Sequence, residues 1–543
     1  PIQNFLVDKA AVYASEATGM NISVGRISLS FPLNLVVTDV DAASPHNDTL
    51  LSVRRLQVNV QLLPLLKKQV EVDGISLQGA TVNSNDLIHG MKLNGTLGEL
   101  FISSHGVALD PETAIVNKVL LKDTDLSLCL NDTAAADTAA SDTAYWKIIL
   151  QDIDLQNVSF ALDMPLDSLS LAASLDNAIL RDGLIDLHKS AYSLQTFRIE
   201  NGRVRYDNGK PLAADSLSSG LDPSHIALTD IGVKLDSLYY GGRNMKAIIS
   251  QFVLKERSGV EIVSATGRMV SNDKVLRVPS LKLETRDSYL ELNAAMDWNA
   301  LDFKDEGLVS ARLMADIGKP DVVRFMGSMD EKFIRQYPSE PLRIRTGIDG
   351  DLNKLKLTTL TAELPGALGL FARGELTHLT DSLLRGGDIT LEAETKDLKF
   401  VSTLAEGIEI PYGTRLEGKF TMAGTKMGTD LLLMQPEAQA VVAADTIPIT
   451  VYNDSISVAD DFKMERAARL FAKYDLSRDR YEADLAVNHF DLHQFMPADS
   501  LYTLSTRLKV EGEGFDFFSP RTYFNAEGGI DRFHYGSYHL TGI

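Results

Sequence analysis

Apolar and polar residues alternate with a period of two over most of this chain. The alternation returns in one short phrase: apolar-x-apolar, then Gln or Glu, then Asn or Gly, then alternation again. Ile75-Ser-Leu77-Gln78-Gly79-Ala80-Thr-Val82 is one copy. Ile153-Asp-Leu155-Gln156-Asn157-Val158-Ser-Phe160-Ala-Leu162 and Phe197-Arg-Ile199-Glu200-Asn201-Gly202-Arg-Val204-Arg-Tyr206 are two more. Val233-Lys-Leu235-Asp-Ser237-Leu238-Tyr-Tyr240 is a looser fourth. Side chains alternate faces along a strand, so each copy puts its apolar set on one side of a sheet and its polar set on the other. A fold assembled from such units grows lengthwise rather than closing round a compact active site. The pattern therefore puts forward a long apolar surface, not a catalytic cluster, as the functional element.

The same reading divides the chain. Ile2, Phe5, Leu6, Ala10, Tyr13 and Ala17 share a helical face and Gly19 supplies a stop, which predicts a helix over 1–19 capping the sheet. Strands dominate a first β segment over 20–130, with an edge or helical excursion at Pro64-Leu65-Leu66-Lys67-Lys68. Residues 131–145 are small, polar and of low complexity, and cannot bury enough apolar area to offset chain entropy, so they predict a flexible loop. A second β segment follows over 146–329, with an irregular stretch from Lys210 to Pro223. A helical connector is expected over 330–341, then glycine-punctuated repeats over 342–543. A related phrase, Leu313-Met-Ala-Asp316, Leu391-Glu-Ala-Glu394 and Leu485-Ala-Val-Asn488, is each time followed by a short helical turn with an apolar anchor: Val322 with Phe325, Leu398 with Val401, Leu492 with Phe495. Helical βαβ spacing is absent, so the expected class is all-β, a mostly antiparallel sheet of hairpins. A stack of sandwiches would concentrate apolar residues in each unit, whereas one long curled sheet spreads them along a trough; the even spacing here is closer to the second.

Composition and charge narrow the function. The 543 residues are 44% hydrophobic and 23% charged, as in an ordered protein. A net charge of −21 argues against nucleic acid, which needs a basic face, and against docking on anionic lipid through a basic patch. Cys129 is the sole cysteine, so no intrachain disulfide forms; its place in Leu126-Ser-Leu128-Cys129-Leu130 predicts a small buried residue. Trp146 and Trp298 are expected at strand edges. No run of about 18 to 20 apolar residues occurs, so no spanning helix is predicted within these residues. Both ends interrupt the pattern, Pro1 before a helix and Leu540-Thr-Gly542-Ile543 inside an alternating run, which reads as a piece cut from a longer chain.

Catalytic and metal chemistry is weakly represented. His489 and His493 stand four apart, a helical ligand spacing, but no third ligand is near. Asp349, Asp351 and Asn353 mimic the start of a calcium loop, yet Lys354 takes the glycine position and Leu360 the bidentate acid position. There is no nucleophile elbow, phosphate loop or dinucleotide fingerprint. The expectation is a protein that is not an enzyme and uses no cofactor or metal.

The phrases as a whole resemble a known family. Pro1-Ile-Gln3-Asn-Phe5-Leu6, Gly19-Met-Asn-Ile22-Ser-Val24-Gly25-Arg-Ile27 and Phe31-Pro32-Leu33-Asn-Leu35 resemble the N-terminal region of the TamB family, the inner-membrane subunit of a translocation and assembly module. Asp48-Thr49-Leu50-Leu51, followed by Leu56-Gln-Val58-Asn-Val60, does the same. Phe490-Asp-Leu492-His-Gln-Phe495-Met496-Pro497-Ala-Asp499-Ser500 and Leu508-Lys-Val510-Glu-Gly512-Glu-Gly514 are similar to the large TamB-like proteins of Bacteroidota.

The resemblance implies an AsmA-like, bridge-like lipid transfer protein whose sheet folds over like a taco shell around an apolar groove. It implies a periplasmic body anchored in the inner membrane of a Gram-negative bacterium by an N-terminal helix outside this sequence. Its partners would be phospholipid, with acyl chains in the groove, and an outer-membrane barrel protein of the BamA/TamA type. The role implied is outer-membrane biogenesis, by conducting phospholipid between the membranes. The residues expected to line the groove are Ile75, Leu77, Val82, Ile153, Leu155, Phe160, Ile199, Val204, Val233 and Leu235. Packing of the same residues in a dry sandwich core stays open. So do a scaffold that assembles outer-membrane proteins and, in a different class, a surface β-solenoid adhesin. Aromatic residues at 7%, and scattered, weigh against the adhesin.

Overall fold

The computed structural model describes residues 15, 20–30, 34–44, 49–60, 72–84, 90–108, 112–131, 146–210, 220–304, 307–326, 330–404, 407–436, 466–515, 519 and 522–542. Apart from Ser15 and Asn131, the predicted helix over 1–19 and loop over 131–145 lie outside the described residues, as do the excursion at 64–68 and most of the stretch from Lys210 to Pro223. The chain is all-β: a mostly antiparallel sheet of 27 strands with a few short helices, the class expected from the alternation. It divides into two compact units, one of Pro1–Asp273, Arg277–Arg286 and Arg324–Ser328, the other of Lys274–Leu276, Asp287–Val323 and Met329–Ile543.

The first unit contains β1 (Asn21–Ser30), β2 (Asn34–Ala43), β3 (Thr49–Val60), β4 (Val72–Asn83), β5 (Met91–Ala108), β6 (Thr113–Leu130), β7 (Lys147–Met164), β8 (Leu169–Asp186), β9 (Ala191–Leu194), β10 (Thr196–Asp207), β11 (His225–Gly241), β12 (Asn244–Glu256), β13 (Glu261–Ser271) and most of β14 (Val275–Thr285). From β1 to β6 each strand pairs antiparallel with the next. The β6–β7 pair is parallel, Thr113–Cys129 against Lys147–Asp163. Alternation is blind to strand direction, so this exception was not readable from the pattern. Beyond it β9 and β10 lie end to end between β8 and β11, antiparallel to both.

A bend line crosses these strands. Asp39, Gly79, Asp123, Asn157 and Asn201 all have φ between 50° and 60°, in the left-handed region. The Gln-Gly and Gln-Asn steps of the recurrent phrase are thus the points where a strand bends. Glycine adopts this conformation freely, and Asn and Asp tolerate it better than other L residues. Each bend shifts the apolar phase by one residue: Ile75 and Leu77 before Gly79, then Ala80 and Val82 after it; Ile153 and Leu155 before Asn157, then Val158 and Phe160. A one-residue slip in a plain strand would flip the apolar set to the opposite face. Here the extra bend residue absorbs the slip, and the apolar set stays together. Polar side chains stitch the line across strands: Asn157 Nδ2 donates to Asp123 Oδ1 at 2.9 Å, and Asn201 Nδ2 to Asp176 Oδ2 at 2.9 Å.

The second unit is an antiparallel meander of β15 (Tyr289–Asp297), β16 (Leu308–Ile317), β17 (Leu342–Asp351), β18 (Lys354–Leu364), β19 (Leu368–Thr377), β20 (Gly386–Thr395), β21 (Arg415–Ala423), β22 (Lys426–Met434), β23 (Ala467–Asp475), β24 (Arg480–Asp491), β25 (Leu501–Glu513), β26 (Tyr523–Tyr535) and β27 (Tyr538–Thr541). Short helices sit between strands: α1 (Trp298–Leu301), α2 (Lys319–Met326) and α3 (Glu331–Gln336). The last lies within the expected connector, with Asp330 accepting from the Lys332 backbone N–H as its N-cap.

Dry packing is found here. Phe333, Tyr337, Leu364, Ala367, Leu398 and Phe400 form a buried cluster, with Val322 and Val401 packed on it. Its rings meet edge-on, Phe333 to Phe400 at 5.7 Å and Tyr337 to Phe400 at 5.1 Å. Burial holds the Tyr337 phenol above its ordinary pKa. The expected anchors Val322, Leu398 and Val401 thus pack as small cores, whereas Phe325 is exposed. A second cluster joins Ala300, Val309 and Leu352.

Candidate functional site: an apolar face on the first unit

Register assembles the apolar residues into rows. Residues paired directly across strands share a face. One row runs Leu29, Leu35, Val58, Ile75, Ile102, Val119, Ile153, Leu180, Phe197, Leu235, Ile249, one residue from each of β1–β8 and β10–β12. The next row, two residues along on every strand but β12, where a register shift makes the step three, runs Ile27, Val37, Leu56, Leu77, Leu100, Leu121, Leu155, Ala178, Ile199, Val233, Phe252. Neither row contains a polar side chain. Across the bend line a third row includes Leu51, Val82, Gly95, Leu126, Phe160, Ala173 and Val204.

All ten residues expected to line a groove fall on these three rows. Ile75, Ile153 and Leu235 are on the first, Leu77, Leu155, Ile199 and Val233 on the second, and Val82, Phe160 and Val204 on the third. Sequence reasoning named the residues of the recurrent phrases but missed those between them. Leu100, Leu121, Val119 and Leu180 belong to the same rows, and their plain alternation was the available signal. At about 4.8 Å between strands, eleven strands carry each row over about 48 Å, more than the roughly 30 Å hydrocarbon core of a bilayer.

These side chains are not sealed. None of the ten is buried; Ile75 and Phe160 are each 38% exposed and the others half-buried. The buried apolar residues of the unit, among those described, are mostly small: Ala42, Ala178, Ala191 and Ala265, with Leu50, Val53 and Val260. Both buried clusters of the described residues belong to the second unit. A dry sandwich core would place its large aliphatics in such clusters.

Polar contacts in each unit hold the fold. Arg181 pairs with Asp152 between β8 and β7. Asp222 accepts from His225 Nδ1 at 2.8 Å, and this bond, with one from the Ser224 backbone N–H, holds its carboxyl below the ordinary value. Asp351 closes the β17–β18 hairpin by accepting from the backbone N–H of Asn353 and Lys354 at 2.8 and 2.7 Å, so the calcium-like spacing is turn chemistry. Cys129 is half-buried rather than buried, its thiol 3.2 Å from Asn131 Oδ1. Among the described residues, no three His, Cys, Asp or Glu side chains gather as a metal site. No helix among them is long and apolar enough to cross a membrane.

Comparison with known protein families and with curated proteins gives no match for this chain.

Proposed function

We propose that the apolar face of the first unit binds acyl chains, which makes the protein a lipid carrier. More particularly, we read it as a periplasmic conduit that moves phospholipid between the inner and outer membranes of a Gram-negative cell, the role that the resemblance to the TamB family implies. One observation carries the reading: two unbroken apolar rows cross eleven strands, and their large aliphatic side chains remain accessible.

The physical case is simple. Each acyl methylene exposed to water costs about 0.8 kcal/mol, so two chains of ordinary length cost tens of kcal/mol to carry through an aqueous space. A continuous aliphatic surface removes most of that barrier while the headgroup stays wet. A carrier must also avoid deep traps. Leu, Ile and Val dominate both rows and offer nearly the same contact at every step, so a chain gains little by stopping. The reading is non-catalytic and needs no cofactor.

Native mass spectrometry of the purified chain, with organic extraction of bound lipid, tests this. Co-purified phospholipid, lost when Leu155 and Val204 are both changed to Asp, is the expected result. A lipid-free protein in a fold-competent preparation overturns the reading. Capture of outer-membrane polypeptides in place of lipid would instead favour the assembly scaffold.

A further inference from the structure

A cavity of about 300 Å³ in the second unit holds a chemistry unlike the apolar face. Its walls come from β23–β27 and the residue that leads into them. Arg466 immediately precedes β23, with φ at 57°. His489 sits where β24 bulges, with φ at 45°, and the pairing skips from Val487–Thr506 to Phe490–Leu504. Asp491 and Thr503 face each other across β24 and β25. Arg532 and His534 alternate along β26, and His539 opposes His534 on β27 with its ring stacked at 4.0 Å. The helical pairing of His489 with His493 suggested by their spacing is not formed, since His489 is on the strand and His493 on a short 3-10 turn.

The hydrogen bonds fix which groups are left to bind. His489 Nδ1 lies 2.7 Å from Asn488 Oδ1 and donates to it, so Nε2 is the acceptor for Arg532 Nη1 at 3.2 Å. His534 Nε2 donates to the Gly536 carbonyl at 3.0 Å. The Asp491 carboxylate accepts from the His493 backbone N–H and from Gln494 Nε2, both at 3.1 Å. Among the described residues no carboxylate forms an ion pair with Arg466 or Arg532. Among the described residues, the cavity thus sets two guanidinium groups against a single carboxylate, Asp491, which is engaged by the His493 backbone and Gln494.

We propose that this cavity binds a phosphate oxyanion, held by Arg466 and Arg532 with Thr503 and His539 completing the donor set. The guanidinium fork matches phosphate oxygens two at a time and keeps its charge at every physiological pH. The hydroxyl and imidazole add donors, and a cavity of this size admits a phosphate with its ester substituent. A free phosphate compound and a lipid headgroup share this chemistry.

Titration of the full chain with inorganic phosphate, followed by the ring-proton signals of His534 and His539 at ionic strength matched with chloride, tests the site. Saturable shifts are expected in the wild type. Arg532→Gln and Arg466→Gln should each weaken binding at least about tenfold, the fold-change expected for one lost charge-assisted hydrogen bond. Arg532→Lys, which keeps charge without the fork, should fall between, and far-UV circular dichroism reports whether each variant is folded. Where an arginine variant does not fold, Thr503→Val carries the same test with a smaller weakening. Competition by phosphatidylglycerol vesicles assigns the site to a headgroup; competition by glycerol 3-phosphate alone assigns it to a soluble phosphate. Absence of saturable shifts, wild-type affinity in Arg532→Gln, or shifts produced by Zn²⁺ and not by phosphate would overturn the proposal. The readout uses water-soluble ligand and so stands apart from the fate of the lipid reading.

Discussion

Leu155→Asp separates an accessible apolar face from a closed core. Leu155 is central on the second row, paired with Leu121 of β6 and Ala178 of β8, and it is half-buried. Full burial of a leucine side chain contributes about 1.5–3 kcal/mol, so removing half of that costs about 1 kcal/mol. Replacing a good strand former with aspartate adds up to about 1 kcal/mol. If the carboxylate stays in water, the total is about 2 kcal/mol, within the margin of a folded domain. A sealed interior would strand the charge, with a further penalty of several kcal/mol. Urea unfolding followed by circular dichroism measures the loss, and native mass spectrometry on the same sample measures retained lipid. The account expects a folded variant with a modest shift in midpoint and little phospholipid. An unfolded chain, or a loss above about 5 kcal/mol, would refute the reasoning.

Three further outcomes follow from the geometry. Phe333→Ala should cost about 3–5 kcal/mol in unfolding experiments, because Phe333 is 2% exposed inside an aromatic cluster, while Phe160→Ala, at 38% exposure, should cost about 1 kcal/mol. Gly79→Ala should lose about 1–2 kcal/mol in the same assay, since φ is +60° and the new Cβ would lie 2.6 Å from Arg54 Nη2; the neighbouring Ser76→Ala, outside the bend, should change stability far less. Asp222→Asn should flatten the acid limb of the stability curve. The folded carboxyl is held below its ordinary 3.8, so its contribution is present above that pH and drains as pH falls through the folded value; a variant whose acid limb matches the wild type would contradict this.

How much of this was legible in the sequence differs by feature. Period-two alternation named the strands and their apolar sets, because a half-buried strand writes its facing directly into residue order. The Gln-Gly and Gln-Asn steps were visible as a motif, but that they are left-handed bends is a backbone property of Gly79, Asn157 and Asn201 shown by dihedral angles. Rows of residues from eleven strands depend on register, which no single phrase contains; Val119 and Leu180 meet Ile153 only once β6, β7 and β8 are paired. The parallel β6–β7 pair is invisible to alternation for the same reason. The arginine and histidine cavity was out of reach, since Arg466, His489 and His539 are separated by long stretches and brought together by a bulge and two hairpins. The spacing of His489 and His493, set aside in the sequence for want of a third ligand, does not put them on one helix face, because the strand continues through Asp491.

The most direct measurement of the central claim is photo-crosslinking in cells, with a benzophenone amino acid placed in turn at Leu77, Leu155 and Val233 on one row and at Arg198 and Arg203, which are exposed and out of phase with the apolar residues of β10. The account predicts phospholipid adducts at the three row positions and none at the two arginine positions. Adducts to neighbouring strands of the same chain at all three row positions, with no lipid captured, would contradict it.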